Sequence, residues 1–268
     1  MESPAPGWIE LTALKGLEDA ALAVGRLDAA ARSAPGGLAE LLVLRCAAQA
    51  FGAGRDGMIA LLQPEGEGGQ APRRFLVQLH HAVSAATEVA TPSLLGAALA
   101  ARRELRNQGA GAGAVAAAAL VAIRSLQSGG AIGGPWLSFP LGPGSPLSAR
   151  HDDDDSPAWL PAAYLSLERE ARAAERGLGA ARHRVVADEQ RVRDVMGRAA
   201  YSALRVLALL AERLVLSVPD VARALRLTAP TANAAISRLE AMGIAREVTG
   251  RERSRRFVYV ALLDALAP

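Results

Sequence analysis

The chain is poor in cysteine, in aromatic residues and in long apolar runs. Of its 268 residues, one is a cysteine and 4% are aromatic. The single thiol, Cys46, excludes a disulfide framework and a zinc site built from several cysteines. The longest apolar run, 114–123, is about half as long as the roughly 20 residues that span a bilayer. With no secretory signal pattern at the start of the chain, we expect a cytoplasmic protein without a membrane segment.

Charge is nearly balanced over the whole chain, but it is unevenly distributed. The chain has 30 Lys and Arg against 27 Asp and Glu. Residues 198–268 contain 11 arginines and 6 acidic residues, a net charge of +5, whereas the other residues contain 19 basic and 21 acidic residues, a net of −2. Positive charge concentrated in one domain is typical of nucleic-acid binding. The alternative is an arginine-rich face that is merely solvated.

Composition and periodicity divide the chain into four segments. Apolar residues make up 51% of the chain, and their three- and four-residue spacing predicts a mainly helical protein. We expect an N-terminal helical domain over 1–134 and a linker rich in Gly, Pro and Asp over 135–159. A long connecting helix is predicted over 160–198, and a second domain over 199–268.

The long helix carries a heptad-like seam. From Leu160 to Ala199, apolar or small residues recur at alternating four- and three-residue steps, with Asp188 as the one polar break. This spacing is typical of paired helices. It is compatible with a homodimer formed through the 160–199 helix, and equally with packing of the helix against its own chain.

The C-terminal segment has the pattern of three short helices followed by a β-hairpin. Ser217 and Thr228 are placed to cap the second and third helices, and Gly243 is placed to end the third. Two β-rich runs follow at 244–249 and 257–260, with an arginine-rich stretch between them. Three helices and a hairpin with a basic tip predict a winged helix-turn-helix domain over 199–268.

The third helix and the wing supply the side chains that would contact DNA. Asn can read adenine bidentately, and hydroxyl groups can bond phosphates or base edges. The wing arginines can hold phosphates or enter the minor groove. The predicted DNA-binding residues are Thr228, Pro230, Thr231, Asn233, Ala234, Ser237, Arg238, Arg251, Arg253, Arg255 and Arg256. A module used only for protein contacts is the alternative.

Within this domain the sequence resembles the C-terminal winged helix of Fic-family proteins. The segments that carry the resemblance are SVPDVARAL at 217–225, PTAN at 230–233, RLE at 238–240 and REVTGR at 246–251. Residues 8–57 more weakly resemble the N-terminal helices of the same family. The resemblance implies a DNA-binding winged helix joined to a degenerate Fic-like helical domain.

Enzymes of the Fic family transfer a nucleotide monophosphate, usually AMP, to a hydroxyl group. Their active loop reads His-Pro-Phe-x-Asp-Gly-Asn-Gly-Arg, and this chain has no such loop. His80 and His81 are followed by Ala82 and Val83 rather than by a glycine-rich anion loop. The sequence thus favours a non-enzymatic transcriptional regulator that binds double-stranded DNA, with no cofactor and no metal. The alternatives are a divergent Fic-like nucleotidyl transferase and a non-catalytic scaffold or antitoxin-like partner of one.

Overall fold

A computed structural model describes the two ends of the chain. It covers residues 6–34, 160–251 and 253–266, together with the isolated positions Leu38, Leu41, Leu42, Arg45, Met58 and Gly133. The predicted linker over 135–159 lies outside the described residues, and so does most of the predicted N-terminal domain after residue 34.

The predicted mainly helical class is confirmed for the described residues, which also contain a small antiparallel sheet. The helices are α1 (Pro6–Arg32), α2 (Leu160–Met196), α3 (Ala200–Arg213), α4 (Val218–Leu225), α5 (Ala229–Ala241) and α6 (Val260–Leu266). The strands are β1 (Val215–Ser217), β2 (Ala245–Glu247) and β3 (Arg256–Tyr259). A 3₁₀ turn, Gly197–Ala199, joins α2 to α3.

Helices α1 and α2 pack against each other along their apolar stripes. On α1 the stripe consists of residues spaced three and four apart, such as Ala20, Val24 and Leu27, all of which are buried. The polar exception on this face is Asp28. Its carboxylate accepts a hydrogen bond from the Gly133 backbone N–H at 2.7 Å and pairs with Arg32 at 2.8 Å. The buried charge is therefore satisfied from two sides.

Most of the predicted heptad seam is buried within this chain. The buried seam residues are Tyr164, Leu167, Ala171, Ala174, Leu178, Ala181 and Val192. At the end of the seam, Val195 is 66% exposed, and Ala199 is exposed as well. Packing of the helix against its own chain thus accounts for most of the seam. The homodimer through residues 160–199 stays a prediction.

The sheet has the strand order β1-β3-β2, and both pairings are antiparallel. Leu216 pairs with Phe257 on one side of β3, and Arg246 pairs with Val258 on the other. The hairpin of β2 and β3 agrees with the two predicted β-rich runs. The continuation of the second run through Val260 is wrong, because Val260 begins α6. Neither α6 nor the pairing of β1 follows from the local sequence pattern.

Local capping signals place the ends of α4 and α5. Ser217 and Asp220 form a reciprocal capping box at the start of α4, with hydrogen bonds of 3.0 and 3.3 Å between backbone N–H groups and side chains. Thr228 caps α5 by accepting a hydrogen bond from the Thr231 N–H. Gly243 follows α5 with φ +69°, the left-handed conformation that glycine adopts without strain. All three predicted end signals are confirmed.

The core of the C-terminal part lies between α3, α4, α5 and the sheet. Leu207 and Leu210 of α3, Ile236 and Leu239 of α5 and Phe257 of β3 are buried in it. Ala222 and Leu225 of α4 are partly buried and pack against this core. This packing holds α5 in place from one side and leaves its opposite side exposed.

Two contacts tie α2 to the end of the sheet and to α6. The Tyr259 hydroxyl donates a hydrogen bond of 2.9 Å to the Asp188 carboxylate, and both residues are buried. At Gly177 the backbones approach so closely that an added Cβ would lie 2.8 Å from the carbonyl oxygen of Ala265. Helix α2 and the C-terminal part of the chain are therefore in direct contact.

Candidate nucleic-acid interface

The exposed side of α5 carries most of the predicted contact residues of that helix. Its buried side is formed by Ala232, Ala235, Ile236 and Leu239. The predicted residues that are exposed in and just before this helix are Thr228, Pro230, Thr231, Ala234, Ser237 and Arg238. Most of these side chains are small, so the helix can lie deep in the major groove of a DNA duplex. The hydroxyl and guanidinium groups can bond phosphates or base edges.

Two threonines at the start of α5 are engaged with each other. The Thr228 hydroxyl lies 2.8 Å from the Thr231 hydroxyl and accepts a hydrogen bond from the Thr231 backbone N–H at 3.3 Å. Each hydroxyl therefore already has one partner, and the helix N-terminus is fixed by this cap. Thr228 has a structural role in addition to its predicted contact role.

Asn233 lies at the edge of this exposed side and is half-buried. Its Oδ1 accepts a hydrogen bond of 3.0 Å from Nη2 of Arg255, which precedes β3. The Arg255 guanidinium also lies over the ring of Phe257, 5.3 Å from its centroid, a distance typical of a cation–π contact. The structure thus brings together two predicted contact residues that are 22 positions apart in the sequence.

The hairpin turn is held by Glu247 at the end of β2. Its carboxylate accepts hydrogen bonds from the backbone N–H of Thr249 at 2.7 Å and of Gly250 at 2.9 Å, and also from the Thr249 hydroxyl. Burial alone would raise the pKa of Glu247, but these hydrogen bonds outweigh it and hold the pKa below its ordinary value. The charged carboxylate fixes the base of the arginine-rich turn.

The four predicted wing arginines differ in their exposure. Arg251 and Arg253 are exposed, whereas Arg255 and Arg256 are half-buried. Arg256 lies in β3, where it pairs with Ser217 in the register of the sheet. The exposed pair therefore lies at the solvent-facing turn, and the other pair lies near the sheet.

Sequence reasoning missed two features. Arg226 is exposed in the turn between α4 and α5, where it has a left-handed backbone with φ +53°. Its signal in the sequence was a basic residue two positions before the predicted cap, Thr228. The buried pair of Asp188 and Tyr259 was also missed. Its signal was the polar break in an otherwise apolar seam.

Other kinds of site find no support in the described part of the chain. There, no group of three or more His, Cys, Asp or Glu residues is placed to hold a metal ion. None of the helices described is both long and apolar enough to cross a membrane. His80 and His81, the residues relevant to a divergent transferase, lie outside the described residues.

No protein-family model matches the chain, and no curated protein matches it either. The resemblance to the Fic family therefore stays a prediction that rests on the sequence segments quoted above. The inference about function rests on the geometry of α5 and the hairpin.

Proposed function

We propose that residues 199–268 form a winged helix-turn-helix domain that binds double-stranded DNA, and that the protein acts as a transcriptional regulator. In this proposal α5 enters the major groove, and the turn between β2 and β3 is the wing that contacts the phosphate backbone. The order of elements in this part of the chain, helix, strand, two helices and then a hairpin, supports the assignment.

The observation that carries the proposal is the hydrogen bond between Arg255 and Asn233. This 3.0 Å contact places the arginine-rich hairpin directly beside the exposed side of α5. A groove-reading helix and a phosphate-binding turn must lie side by side to contact one duplex. The net charge of +5 over residues 198–268 supports the same conclusion, because phosphate contacts require a local excess of positive charge.

Salt dependence of binding by the full-length protein tests the proposal. We expect the protein to bind a labelled duplex with an affinity that falls linearly with salt on a log–log plot. Each phosphate contact contributes a slope of about 0.9. Replacing Arg251 and Arg253 together by Gln should reduce the slope by about two units, because both lie at the turn that would contact phosphates.

The matched control removes the same charge elsewhere. Arg169 and Arg176 are exposed on α2, and replacing both by Gln should leave the slope unchanged. Absence of duplex binding by the folded protein contradicts the proposal. Equal loss of slope in the two double variants also contradicts it, because binding would then depend on overall charge rather than on the hairpin.

A further inference from the structure

Hydrogen bonds within the hairpin shape its turn. The structure describes residues 248–251 and 253–255 of this turn. The Glu247 carboxylate accepts hydrogen bonds from the backbone N–H groups of Thr249 and Gly250. These contacts join residues of the same hairpin. They therefore set the shape of the turn, but they do not set its position relative to α5.

Arg255 extends the contacts of the hairpin to α5. It lies at the end of the turn, directly before β3, and is half-buried. Its Nη2 donates to Oδ1 of Asn233 at 3.0 Å, and its guanidinium lies 5.3 Å from the centroid of the Phe257 ring. Phe257 is buried and is paired with Leu216 in the sheet. Arg255 thus connects the sheet to α5 at the foot of the turn.

The two ends of the turn are held in different ways. Val248 at the first end is partly buried and packs against the hydrophobic core. Arg255 at the second end is held by Asn233 through a hydrogen bond from a charged donor, which is roughly twice as strong as one between neutral groups. Arg251 and Arg253 lie between these ends and are exposed. Their distance from α5 therefore depends on a polar contact at the second end.

We infer that Asn233 is a positioning residue for the wing. Through Arg255 it holds the exposed arginines Arg251 and Arg253 at the distance from α5 that lets the turn and the helix contact one duplex. This inference rests on the proposed DNA-binding function. Contacts to phosphates position a protein on DNA, whereas contacts to base edges specify the sequence. Loss of the Asn233 acceptor should therefore weaken phosphate binding by the turn and leave the base preference unchanged.

Paired variants of the full-length protein test the inference. In the unaltered protein, replacing Arg251 and Arg253 together by Gln should reduce the salt slope by about two units. In an Asn233→Ala background the same replacement should reduce it by less than about one unit, because the turn is no longer held beside α5. Ser237→Ala is the matched control. Ser237 is exposed on α5, and in the described part of the chain no hydrogen bond joins it to the hairpin. In that background the reduction should stay at about two units.

Two further backgrounds test whether Asn233 acts through Arg255. Asn233→Asp keeps an acceptor for the guanidinium and lacks the amide donor. In that background the two exposed arginines should again contribute about two units of slope, although the added negative charge weakens binding to every duplex. In an Arg255→Ala background, Asn233→Ala should cause no further loss of slope, because the contact is already absent.

The outcomes separate this inference from the proposed function. A two-unit contribution of Arg251 and Arg253 in folded Asn233→Ala overturns the inference and leaves DNA binding intact. Asn233 would then stabilise the fold without holding the turn. A changed base preference of Asn233→Ala, measured by selection from a randomised duplex pool, also overturns the inference. Absence of duplex binding by the unaltered protein overturns the proposed function together with the inference.

Discussion

At the residue scale, the carboxylate of Asp188 is a buried charge that depends on several hydrogen-bond and ion-pair partners. It is 2% exposed, accepts the Tyr259 hydrogen bond at 2.9 Å and pairs with Arg184 at 3.1 Å and Arg191 at 3.6 Å. A buried carboxylate is destabilising unless such partners satisfy it. The arginines approach from the same helix, whereas Tyr259 alone among these partners belongs to the sheet.

Removing the Tyr259 hydroxyl should therefore destabilise the fold. We expect Tyr259→Phe to lower the free energy of unfolding by about 1.5–3 kcal/mol, the range for a hydrogen bond to a charged group. Tyr201→Phe is the matched control, because Tyr201 is 69% exposed and its hydroxyl is accessible to water. Denaturant unfolding of both variants measures the difference. Equal stability of the two variants would show that Asp188 does not depend on Tyr259.

The same contact predicts how stability depends on alkaline pH. Burial, followed by the charge of Asp188 and the hydrogen bond to it, raises the pKa of Tyr259 above its ordinary value of 10.0. The folded state then keeps a proton that the unfolded state loses. The stabilisation is complete below pH 10 and is lost as the pH rises further.

Denaturant unfolding at pH 9, 10 and 11 measures this loss. Above pH 10 the free energy of unfolding should fall more steeply in the unaltered protein than in Tyr259→Phe, by up to about 1.4 kcal/mol per pH unit. If the free energy of unfolding falls equally with pH in the two proteins, groups other than Tyr259 cause the loss of stability at alkaline pH.

At the element scale, the close approach of α2 and α6 depends on Gly177. A Cβ at this position would lie 2.8 Å from the Ala265 carbonyl oxygen and 2.9 Å from Cδ2 of Leu266. Backbone atoms cannot move aside as the end of a side chain can. The glycine weakens the helix locally, but it allows the two helices to touch.

Gly179, two residues further along α2, provides a matched pair of variants. A Cβ added there would meet nothing within 4 Å, so Gly179→Ala should raise the free energy of unfolding by about 0.5–1 kcal/mol through helix propensity. Gly177→Ala should instead lower it by about 1–3 kcal/mol through overpacking. Thermal melts of both variants measure the signs, and stabilisation by Gly177→Ala would exclude a tight contact with α6.

At the scale of the whole molecule, the sequence predicted those features that are set by residues close together in the chain. Ser217, Thr228 and Gly243 act within one turn of the helix ends that they define, and their roles are confirmed. The exposed side of α5 followed from helical periodicity in the same way. Helix ends and exposed faces are set locally, so a single sequence is sufficient to predict them.

Contacts between distant residues could not be predicted in this way. Asp188 and Tyr259 are 71 positions apart, and Asn233 and Arg255 are 22 positions apart. The pairing of Leu216 with Phe257 likewise joins two elements that have two helices between them. No local pattern indicates which residues meet across such separations. The sequence therefore identified both members of the Asn233–Arg255 pair, but not the hydrogen bond that joins them.

The contact between α2 and α6 has a consequence for when the fold is completed during synthesis of the chain. A ribosome makes α1 and α2 well before residues 259–266, so Asp188 and the surface around Gly177 lack their Tyr259 and α6 partners during much of synthesis. Native packing on this side of α2 must therefore be completed late, after the hairpin has been made. A nascent chain halted before Tyr259 should present this side of α2 to chaperones, while the full-length chain released from the ribosome should conceal it.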